Sequence, residues 1–530
     1  MACARRFAVL TLLCLWLSAA SAQPPASLDI ETLFPGQSFA ARIPTPAAFT
    51  GVETGARALH HHQVLAYLRH LAELSPRARL LKYGQSHEGR EMVVLAVGEP
   101  EVIADLDGFR ARHAALTDPA TSDAAALGQA RAVAWMAYGI HGDELSSTDA
   151  AVVLAYWLVA GEGGAAQRLR REMLVLIDPC ENPDGRERFL AQVAAFAHRR
   201  PSEDPSDLSH TNVWPWGRGN HYLFDLNRDW FTMVQPESRR SAEIARWNPQ
   251  LMVDSHEMGP ESSYLFSPSR HPFNPHRPAY HRAWALRFSA DQARALDARG
   301  FGYYTGEWNE EFFPGYGSSW AAYRGAVGIL YEMSQTDGTL VRKRSGARRS
   351  FAQAVEHQLT SSMANLRTLA DNRAEVMSDF VEYRRRLIAR ARKTSPRAWI
   401  VDRRAFPERV DHLAELLAAQ GIDFRRLTET TEVAGLVDGL DGEKHEVALA
   451  AGSLLVPTDQ IAGPLVRVLF DPHVPMGADF LREEREYLER GKGSRLYETT
   501  AWSLPLAYGL DAYWSRSLPA GPWSPTASAP

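Results

Sequence analysis

Continuous apolar runs recur along the first two thirds of the chain, separated by stretches with helical periodicity. One run begins at Val133, and others lie at residues 173–178, 251–254 and 327–331. Short runs rich in Val, Ile and Leu, without polar alternation, are typical of strands buried on both faces, and intervening helices favour parallel pairing. The pattern therefore predicts an α/β fold with a mixed, largely parallel central sheet flanked by helices.

A new series of strands and helices begins near residue 394, which predicts a second, smaller α/β domain. A strand-like run opens this region at Trp399, a helical stretch follows, and Gly421 stands where a helix C-cap belongs. The region has βαβ character and slightly resembles glutamine-amidotransferase-like domains, but it holds no cysteine that could act as their nucleophile. We therefore expect it to support the structure or to position substrate.

The N-terminus has the layout of a secretory signal peptide. Arg5 and Arg6 precede an apolar run, and small residues lead to Ala22, after which we expect cleavage. The protein would then be secreted or periplasmic, with no stable membrane anchor. The predicted division is a signal peptide at 1–22, an irregular lead-in at 23–52, a main domain at 53–393, the small α/β domain at 394–513 and a loose tail at 514–530.

Composition narrows the range of partners. The 530-residue chain carries a formal net charge of -5 and has no concentrated basic patch, which argues against nucleic acid as a partner. After signal cleavage Cys180 is the only cysteine, so an intrachain disulfide is not expected.

Polar residues that can bind a metal or transfer a proton follow several of the predicted strands. His141 and Glu144 follow the run that begins at Val133, His256 follows the run at 251–254, and Glu332 follows the run at 327–331. The H-x-x-E spacing alone is weak evidence, but the carboxyl ends of parallel strands form the ligand crevice of such sheets. A catalytic zinc takes three protein ligands and leaves a fourth position open, and two histidines with a glutamate supply such a set.

Six short motifs occur in order between residues 59 and 373: GQSHEGR, GIHGDE, NPDGRERF, DLNRDW, DSHE and LYEMS. In this combination the chain resembles the zinc carboxypeptidase family named after the pancreatic enzymes. The resemblance implies that His141, Glu144 and His256 bind one zinc ion and that Glu332 is the general base and acid. It makes residues 53–393 the catalytic domain.

The resemblance also implies which residues hold the substrate. Asn227 and Arg228 match the pair that binds the terminal carboxylate of a peptide, and a guanidinium can engage a carboxylate through two parallel hydrogen bonds. Asp225 takes the place of a carboxylate that orients the first zinc histidine. Arg218 is the match for the arginine that polarises the scissile carbonyl, although its spacing to Asn227 is shorter than in the pancreatic enzymes.

Several positions stay open in this comparison. Arg186 and Arg188 are alternatives for the carbonyl-polarising arginine. The substrate-capping tyrosine has no clean match, and Tyr316 or Tyr323 could fill the role. Residues 318–319 are serines near the expected floor of the side-chain pocket, which offer no charge to select a basic or acidic residue.

The sequence thus predicts a zinc-dependent metallocarboxypeptidase that acts on peptides with a free C-terminus, either ordinary peptides or cell-wall peptide stems. Two alternatives remain. One is a zinc-dependent deacylase of small N-acyl amino acids, because the aspartoacylase and desuccinylase branch shares part of the motif pattern. The other is a catalytically inactive binding protein. The NPDG stretch, the GQSHEGR lead-in and the signal peptide favour the peptidase.

Overall fold

The computed structural model describes residues 25–497 and 502–527. The strands are β1 (Ser38–Phe39), β2 (Ala78–Gln85), β3 (Glu91–Val97), β4 (Ala132–Tyr138), β5 (Gly161–Glu162), β6 (Met173–Asp178), β7 (Leu251–Met258), β8 (Tyr264–Phe266), β9 (Tyr304–Thr305), β10 (Val327–Ser334), β11 (Leu340–Arg342), β12 (Arg348–Ser350), β13 (Ala398–Val401), β14 (Arg425–Arg426), β15 (Thr431–Asp438), β16 (Lys444–Leu449), β17 (Leu454–Pro457) and β18 (Ala512–Ser515).

The helices are α1 (Ile30–Leu33), α2 (Pro46–Thr50), α3 (His61–Leu74), α4 (Pro100–Ala104), α5 (Leu106–Thr117), α6 (Ala124–Gln129), α7 (Ser146–Ala160), α8 (Gly164–Glu172), α9 (Pro183–Phe196), α10 (Arg240–Trp247), α11 (Ala279–Asp297), α12 (Gly317–Tyr323), α13 (Phe351–Asp371), α14 (Arg373–Ala391), α15 (Pro407–Ala419), α16 (Gly463–Phe470), α17 (Ala478–Glu489) and α18 (Leu504–Tyr508). Within the described residues no helix combines the length and apolar character needed to cross a membrane. The predicted signal peptide lies outside the described residues.

The main domain is built on a mixed sheet of eight strands, in the order β2-β3-β6-β4-β7-β10-β8-β9. The four central strands, β6, β4, β7 and β10, pair in parallel. Antiparallel pairs flank them, formed by β2 with β3, β3 with β6, and β10 with β8. The predicted mixed sheet with a parallel centre is confirmed.

Both faces of this sheet are covered. Side chains of β4 alternate, so that Met136 and Tyr138 belong to one apolar cluster while Trp135 and Ala137 belong to another. Helices α7 and α13 contribute to the first cluster, and every residue of α7 is buried. A fully buried strand with no polar alternation is what the sequence pattern indicated.

The predicted irregular lead-in packs onto the main domain and forms short elements of its own. Leu33 and Phe34 are buried there, and the Phe34 ring stacks on Trp157 of α7 with 5.7 Å between ring centroids. Strand β1 pairs with β5. These contacts make the lead-in part of the core, which its composition did not indicate.

The second domain holds a six-stranded sheet in the order β14-β17-β13-β18-β15-β16. Every pairing within it is antiparallel. Strands β13 and β14, which α15 connects, are both antiparallel to β17 and therefore run in the same direction. The βαβ character that the sequence predicted is present in this unit, with β17 lying between its two strands.

The chain after residue 513 differs from the predicted loose tail, although residues 528–530 lie outside the described part. Strand β18 extends to Ser515 and pairs with both β13 and β15. Isolated bridges then join Trp523 to Leu427 and Ala527 to Phe424.

The two domains share one apolar cluster on the second face of the main sheet. It joins Trp230 and Trp320 of the main domain to Leu417 and Leu465 of the second domain. The buried Gln420 side chain joins the two domains: its Nε2 donates to the carbonyls of Trp230 and Phe231, and its Oε1 accepts from the Trp320 indole at 3.0 Å. The second domain is therefore fixed against the elements that carry the candidate site.

Candidate active site

The H-x-x-E pair lies in the turn between β4 and α7. His141 and Glu144 are both buried there, after the last residue of β4 and before Ser146, the first residue of α7. A Cβ atom on Gly142 would stand 2.1 Å from the backbone nitrogen of Arg186, at the start of α9. Because residue 142 has no side chain, this turn can pack closely against α9, and this contact fixes the position of His141 and Glu144.

His256 and Glu332 lie on the two neighbouring strands. The sequence placed both residues after their strands, but β7 and β10 run past them to Met258 and Ser334. His256 and Glu332 are partners in the parallel register. Regular strand geometry thus places the predicted third zinc ligand beside the predicted general base.

Three side chains converge with metal-binding atoms facing one another. Nδ1 of His141 lies 2.7 Å from Oε1 of Glu144, and Nδ1 of His256 lies 3.1 Å from Oε2 of the same carboxylate. The two Nδ1 atoms are 3.3 Å apart. One ligand atom from each residue lies within 4.8 Å of the others, which is the separation that a single metal ion requires.

The charge state of Glu144 fits this use. Burial favours the neutral acid, but His141 and His256 hold the pKa of Glu144 below its ordinary value. The carboxylate is therefore ionised, as a metal ligand must be. Two imidazoles and one carboxylate form a donor set that suits zinc.

Each histidine turns its other ring nitrogen toward an aspartate. Nε2 of His141 lies 3.0 Å from Oδ1 of Asp225, and Nε2 of His256 lies 2.8 Å from Oδ1 of Asp254. Carboxylates in these positions set the tautomer and orientation of a metal-binding imidazole. The contact of Asp225 agrees with its predicted role, whereas Asp254 was missed, although it stands two residues before His256 on the same face of β7.

Arg218 enters the cleft beside the histidines. Its Nε donates to Oδ2 of Asp225 at 3.1 Å, and its Nη1 lies 3.5 Å from Oε1 of Glu144. Burial disfavours the charged form, but the attraction of Asp225 and Glu144 raises the pKa of Arg218 above its ordinary value. A permanent positive charge therefore stands next to the ligand set.

The two alternative arginines have other roles in the structure. Arg186 of α9 is buried and donates to Asp149 of α7 and to the backbone carbonyls of Leu59 and Leu145. It therefore connects α9 with α7 and with the segment that precedes α3. Arg188 donates to three backbone carbonyls of the loop that carries Arg218, namely those of Trp216, Gly219 and Asn220.

The NPDGRER motif thus fixes the Arg218 loop. Asn182 caps α9 and also donates to the backbone carbonyl of Arg218 at 3.0 Å. Together with Arg188 it holds the loop from both sides. The sequence analysis used this motif as part of the family resemblance. The contacts add that it holds the loop that contains Arg218.

Asn227 and Arg228 both line the cleft. Oδ1 of Asn227 accepts from the indole of Trp230 at 2.8 Å and from the backbone of Gly317 at 2.9 Å, which fixes the amide orientation. Nδ2 is consequently the end of the amide that can donate to a ligand, and it lies 3.0 Å from Nε2 of His256. Arg228 places its guanidinium 4.8 Å from the ring centroid of Tyr316.

The two candidates for the substrate-capping tyrosine differ in their access to the cleft. Tyr316 is the N-cap residue of α12 and lines the cleft, whereas Tyr323 is fully buried within α12. Ser318 also lines the cleft, and Ser319 is buried and donates to the backbone of Glu311. The cleft that these residues surround has a volume of about 330 Å³.

Glu332 completes the cleft as a half-buried acid. Its Oε2 has no hydrogen-bond partner among the described residues. Burial raises the pKa of Glu332 well above its ordinary value, His256 opposes the shift, and the charge of Glu144 adds to it. An acid in this environment can both hold and release a proton, and a nearby cation would favour its ionised form.

Other residues that the sequence singled out lie outside this chemistry. Burial raises the pKa of the Cys180 thiol to about 12, so the thiol is inert. Trp230 is buried in the core, whereas Trp214 and Trp216 are exposed on the long loop.

Residues 64–294 match the family model described as zinc carboxypeptidase. The match identifies a zinc carboxypeptidase-like domain in this part of the chain. The match includes all three residues of the metal-binding cluster but stops before Glu332. The assignment of Glu332 therefore depends on its position opposite His256 and not on the match.

Several solved structures described as carboxypeptidases are similar to this chain at low sequence identity. A metallo-carboxypeptidase from Burkholderia cenocepacia is 17% identical, with 60% of this chain and 70% of that chain covered and a TM-score of 0.41. Carboxypeptidase A from Helicoverpa armigera is also 17% identical, with 61% and 76% covered and a TM-score of 0.41. A Pseudomonas aeruginosa metallo-carboxypeptidase is 16% identical, with 60% and 70% covered and a TM-score of 0.38. No curated protein sequence matches the chain.

Proposed function

We propose that the protein is a zinc-dependent metallocarboxypeptidase that hydrolyses the C-terminal peptide bond of peptides. The observation that carries the proposal is the convergence, in one cleft, of the His141, Glu144 and His256 cluster with the half-buried acid Glu332 and the guanidinium of Arg228. The cluster fits one zinc ion, and Arg228 supplies the charge that recognises a chain end.

When bound, a zinc ion would lower the pKa of a water molecule and polarise the scissile carbonyl. Glu332, as a carboxylate, accepts the proton of the attacking water and returns it to the nitrogen of the leaving amino acid. Arg218 stabilises the negative charge that develops on the carbonyl oxygen, because its own charge is fixed by Asp225 and Glu144. Arg228 and Nδ2 of Asn227 hold the terminal carboxylate of the substrate.

The deciding experiment compares peptides with free and amidated C-termini, in the presence and absence of a chelator. We expect release of the last residue from free ends alone, with loss of activity on chelation and recovery on addition of Zn²⁺. Equal cleavage of amidated ends, or indifference to the chelator, would refute the proposal. Faster turnover of N-acyl amino acids than of any longer peptide would favour the deacylase alternative.

Glu332→Gln tests the proton-transfer role directly. The amide would keep the shape of the side chain but could not accept a proton, so we expect zinc binding to persist while kcat falls by about 10²-fold or more. Metal content is measured by atomic absorption and turnover by release of the terminal residue. Glu356→Gln, which alters a half-buried glutamate paired with Arg299, is the control. A fully active Glu332→Gln variant would remove this residue from the mechanism.

The proposal includes export through the predicted signal peptide at 1–22, which would bring the enzyme to ordinary peptides or cell-wall peptide stems outside the cytoplasm. N-terminal sequencing of the mature protein from the exporting cell tests it, and the expected first residue is Gln23. A mature protein that still begins at Met1 would contradict export by this route.

A further inference from the structure

A segment of the second domain reaches the cleft of the main domain. Glu484 of α17 anchors this segment, because its carboxylate accepts from the hydroxyl of Ser494 at 2.6 Å and from the backbone of Arg495 at 2.9 Å. Arg270 of the main domain donates to the Arg495 carbonyl. The buried Glu310, also of the main domain, accepts from the backbone nitrogen of Tyr497 at 3.1 Å.

These anchors place Tyr497 in the wall of the cleft. The Tyr497 ring centroid lies 5.6 Å from the centre of the Arg228 guanidinium and 6.3 Å from the ring centroid of Tyr316. It also lies 5.8 Å from the Trp308 ring. Tyr497 remains 55% exposed, and all four side chains line the cleft, so the ring has surface available to a ligand.

Two aromatic rings lie beside the guanidinium of Arg228. Aromatic rings at these distances attract a guanidinium through cation–π contact. Tyr316 and Tyr497 both contact Arg228 in this way, and they come from different domains. The second domain therefore contributes one of the contacts of Arg228, beside the main-domain contacts with Tyr316 and the Asn227 carbonyl.

One part of the remaining cleft surface suits an uncharged ligand side chain. Leu330, Met258 and Ser318 line this part, whereas Asp143 and Glu257 line other parts of the cleft. The hydroxyl of Ser318 is already donated to Glu311, and Glu311 in turn pairs with Arg277 at 2.7 Å. The charge of Glu311 behind Ser318 is thus neutralised by Arg277, so this part of the cleft presents no net charge to a ligand.

We propose that Tyr497 is a specificity-determining residue, which joins Trp308 and Tyr316 in an aromatic wall that orients Arg228 and packs against an apolar or aromatic terminal side chain of the substrate. This inference rests on the proposed carboxypeptidase function and extends it to the class of terminal residue. It also gives the second domain a direct part in substrate recognition.

Peptides that differ only in their last residue test the proposal. The zinc-loaded protein should prefer terminal Phe and Leu over Ala, Lys and Glu. Tyr497→Ala should lower kcat/KM for the Phe-ending peptide roughly tenfold, mainly by raising KM, and should reduce the preference for Phe over Ala. Tyr497→Phe keeps the ring and should retain that preference. Tyr508→Ala, which removes a tyrosine on α18 that contacts His412, is the matched control in the same domain.

A binding measurement separates this inference from the proposed function. Calorimetry with 3-phenylpropanoate and with its primary amide measures recognition of a carboxylate and a ring without any turnover. We expect the acid alone to bind to the wild-type protein, with affinity reduced in Tyr497→Ala and kept in Tyr497→Phe. A protein that binds the acid with this pattern but cleaves no peptide would refute the proposed activity and leave the aromatic wall standing. Unchanged specificity and affinity in Tyr497→Ala would overturn the role of Tyr497 while leaving a chelator-sensitive carboxypeptidase intact.

Discussion

Each histidine of the metal-binding cluster has its Nδ1 toward the other ligands and its Nε2 toward an aspartate. Asp254, which holds His256, is buried, so its contact is not weakened by competing water. Asp254→Asn would keep the volume but lose the negative charge that favours the required tautomer. We expect zinc affinity to fall about 10- to 100-fold, measured by competition with a chelating dye.

Asp337→Asn is the matched control for that substitution. Asp337 is also a buried aspartate that contacts a histidine, with its Oδ2 3.2 Å from Nδ1 of His210, but it is not a partner of a predicted zinc ligand. Loss of affinity in this variant equal to that of Asp254→Asn would show that the effect comes from destabilisation and not from orientation of His256.

The residues of the site differ in how far the sequence could predict them. His141 and Glu144 share one turn, so a short motif contains both. Asp254 could also have been predicted, because it precedes His256 by two residues and residues two apart on a strand share a face. Tyr497 could not have been predicted, since it comes from another domain and no local pattern connects it with the cleft. Its position depends on the anchors Glu310 and Glu484.

His113 gives the stability of the main domain a specific dependence on pH. Burial lowers the pKa of this imidazole from 6.5 to about 4, a bond to the Asn248 carbonyl opposes the shift, and Arg384 adds to it. Between these values the unfolded chain binds a proton that the folded protein does not. The free energy of unfolding therefore falls as the pH drops from about 6.5 to about 4, by up to about 3 kcal/mol from this residue.

His113→Gln removes the titrating group and keeps a donor for the Asn248 carbonyl. Urea unfolding at pH 7 and pH 4.5 should show a smaller loss of stability on acidification in this variant than in the wild type. His62→Gln changes an exposed histidine and should keep the wild-type difference. An identical pH dependence in all three proteins would contradict the assignment to His113.

At the scale of elements, the turn between β4 and α7 depends on its contact with α9. Gly142→Ala would place a Cβ atom 2.1 Å from backbone atoms of Gly185 and Arg186, which cannot rotate away as a side chain could. We expect a loss of at least about 2 kcal/mol of stability in urea unfolding, together with weaker zinc binding because His141 and Glu144 must move.

Gly128→Ala is the control, because a Cβ atom at this position of α6 meets nothing within 4 Å. It should be as stable as the wild type or slightly more stable, since alanine is the better helix former. If Gly142→Ala matched this control in both stability and zinc affinity, the close contact between the turn and α9 would not determine the geometry of the site.

For the helices and strands, the sequence pattern predicted some features and not others. Buried strands such as β4 could be predicted, because an uninterrupted apolar run permits few other structures. Their ends could not, and β7 continues through His256 because pairing with β10 extends to Met258. The direction of the strands in the second sheet also depends on pairings between segments distant in sequence, such as β13 with β18.

At the scale of the whole molecule, the two domains should unfold together. They share an apolar cluster, and the buried side chain of Gln420 is hydrogen-bonded to Trp230, Phe231 and Trp320 across the interface.

Gln420→Ala would leave two carbonyls and one indole N–H buried without these partners, which should cost about 3 kcal/mol of stability. Calorimetry should show one transition for the wild type and a lower Tm for the variant. Because Tyr497 belongs to the second domain, a shift of that domain against the main domain should raise KM for the preferred peptide as well. Gln167→Ala, on the exposed side of α8, should change neither. Two separate transitions in the wild type, with KM unchanged in Gln420→Ala, would show that the second domain is independent of the active site.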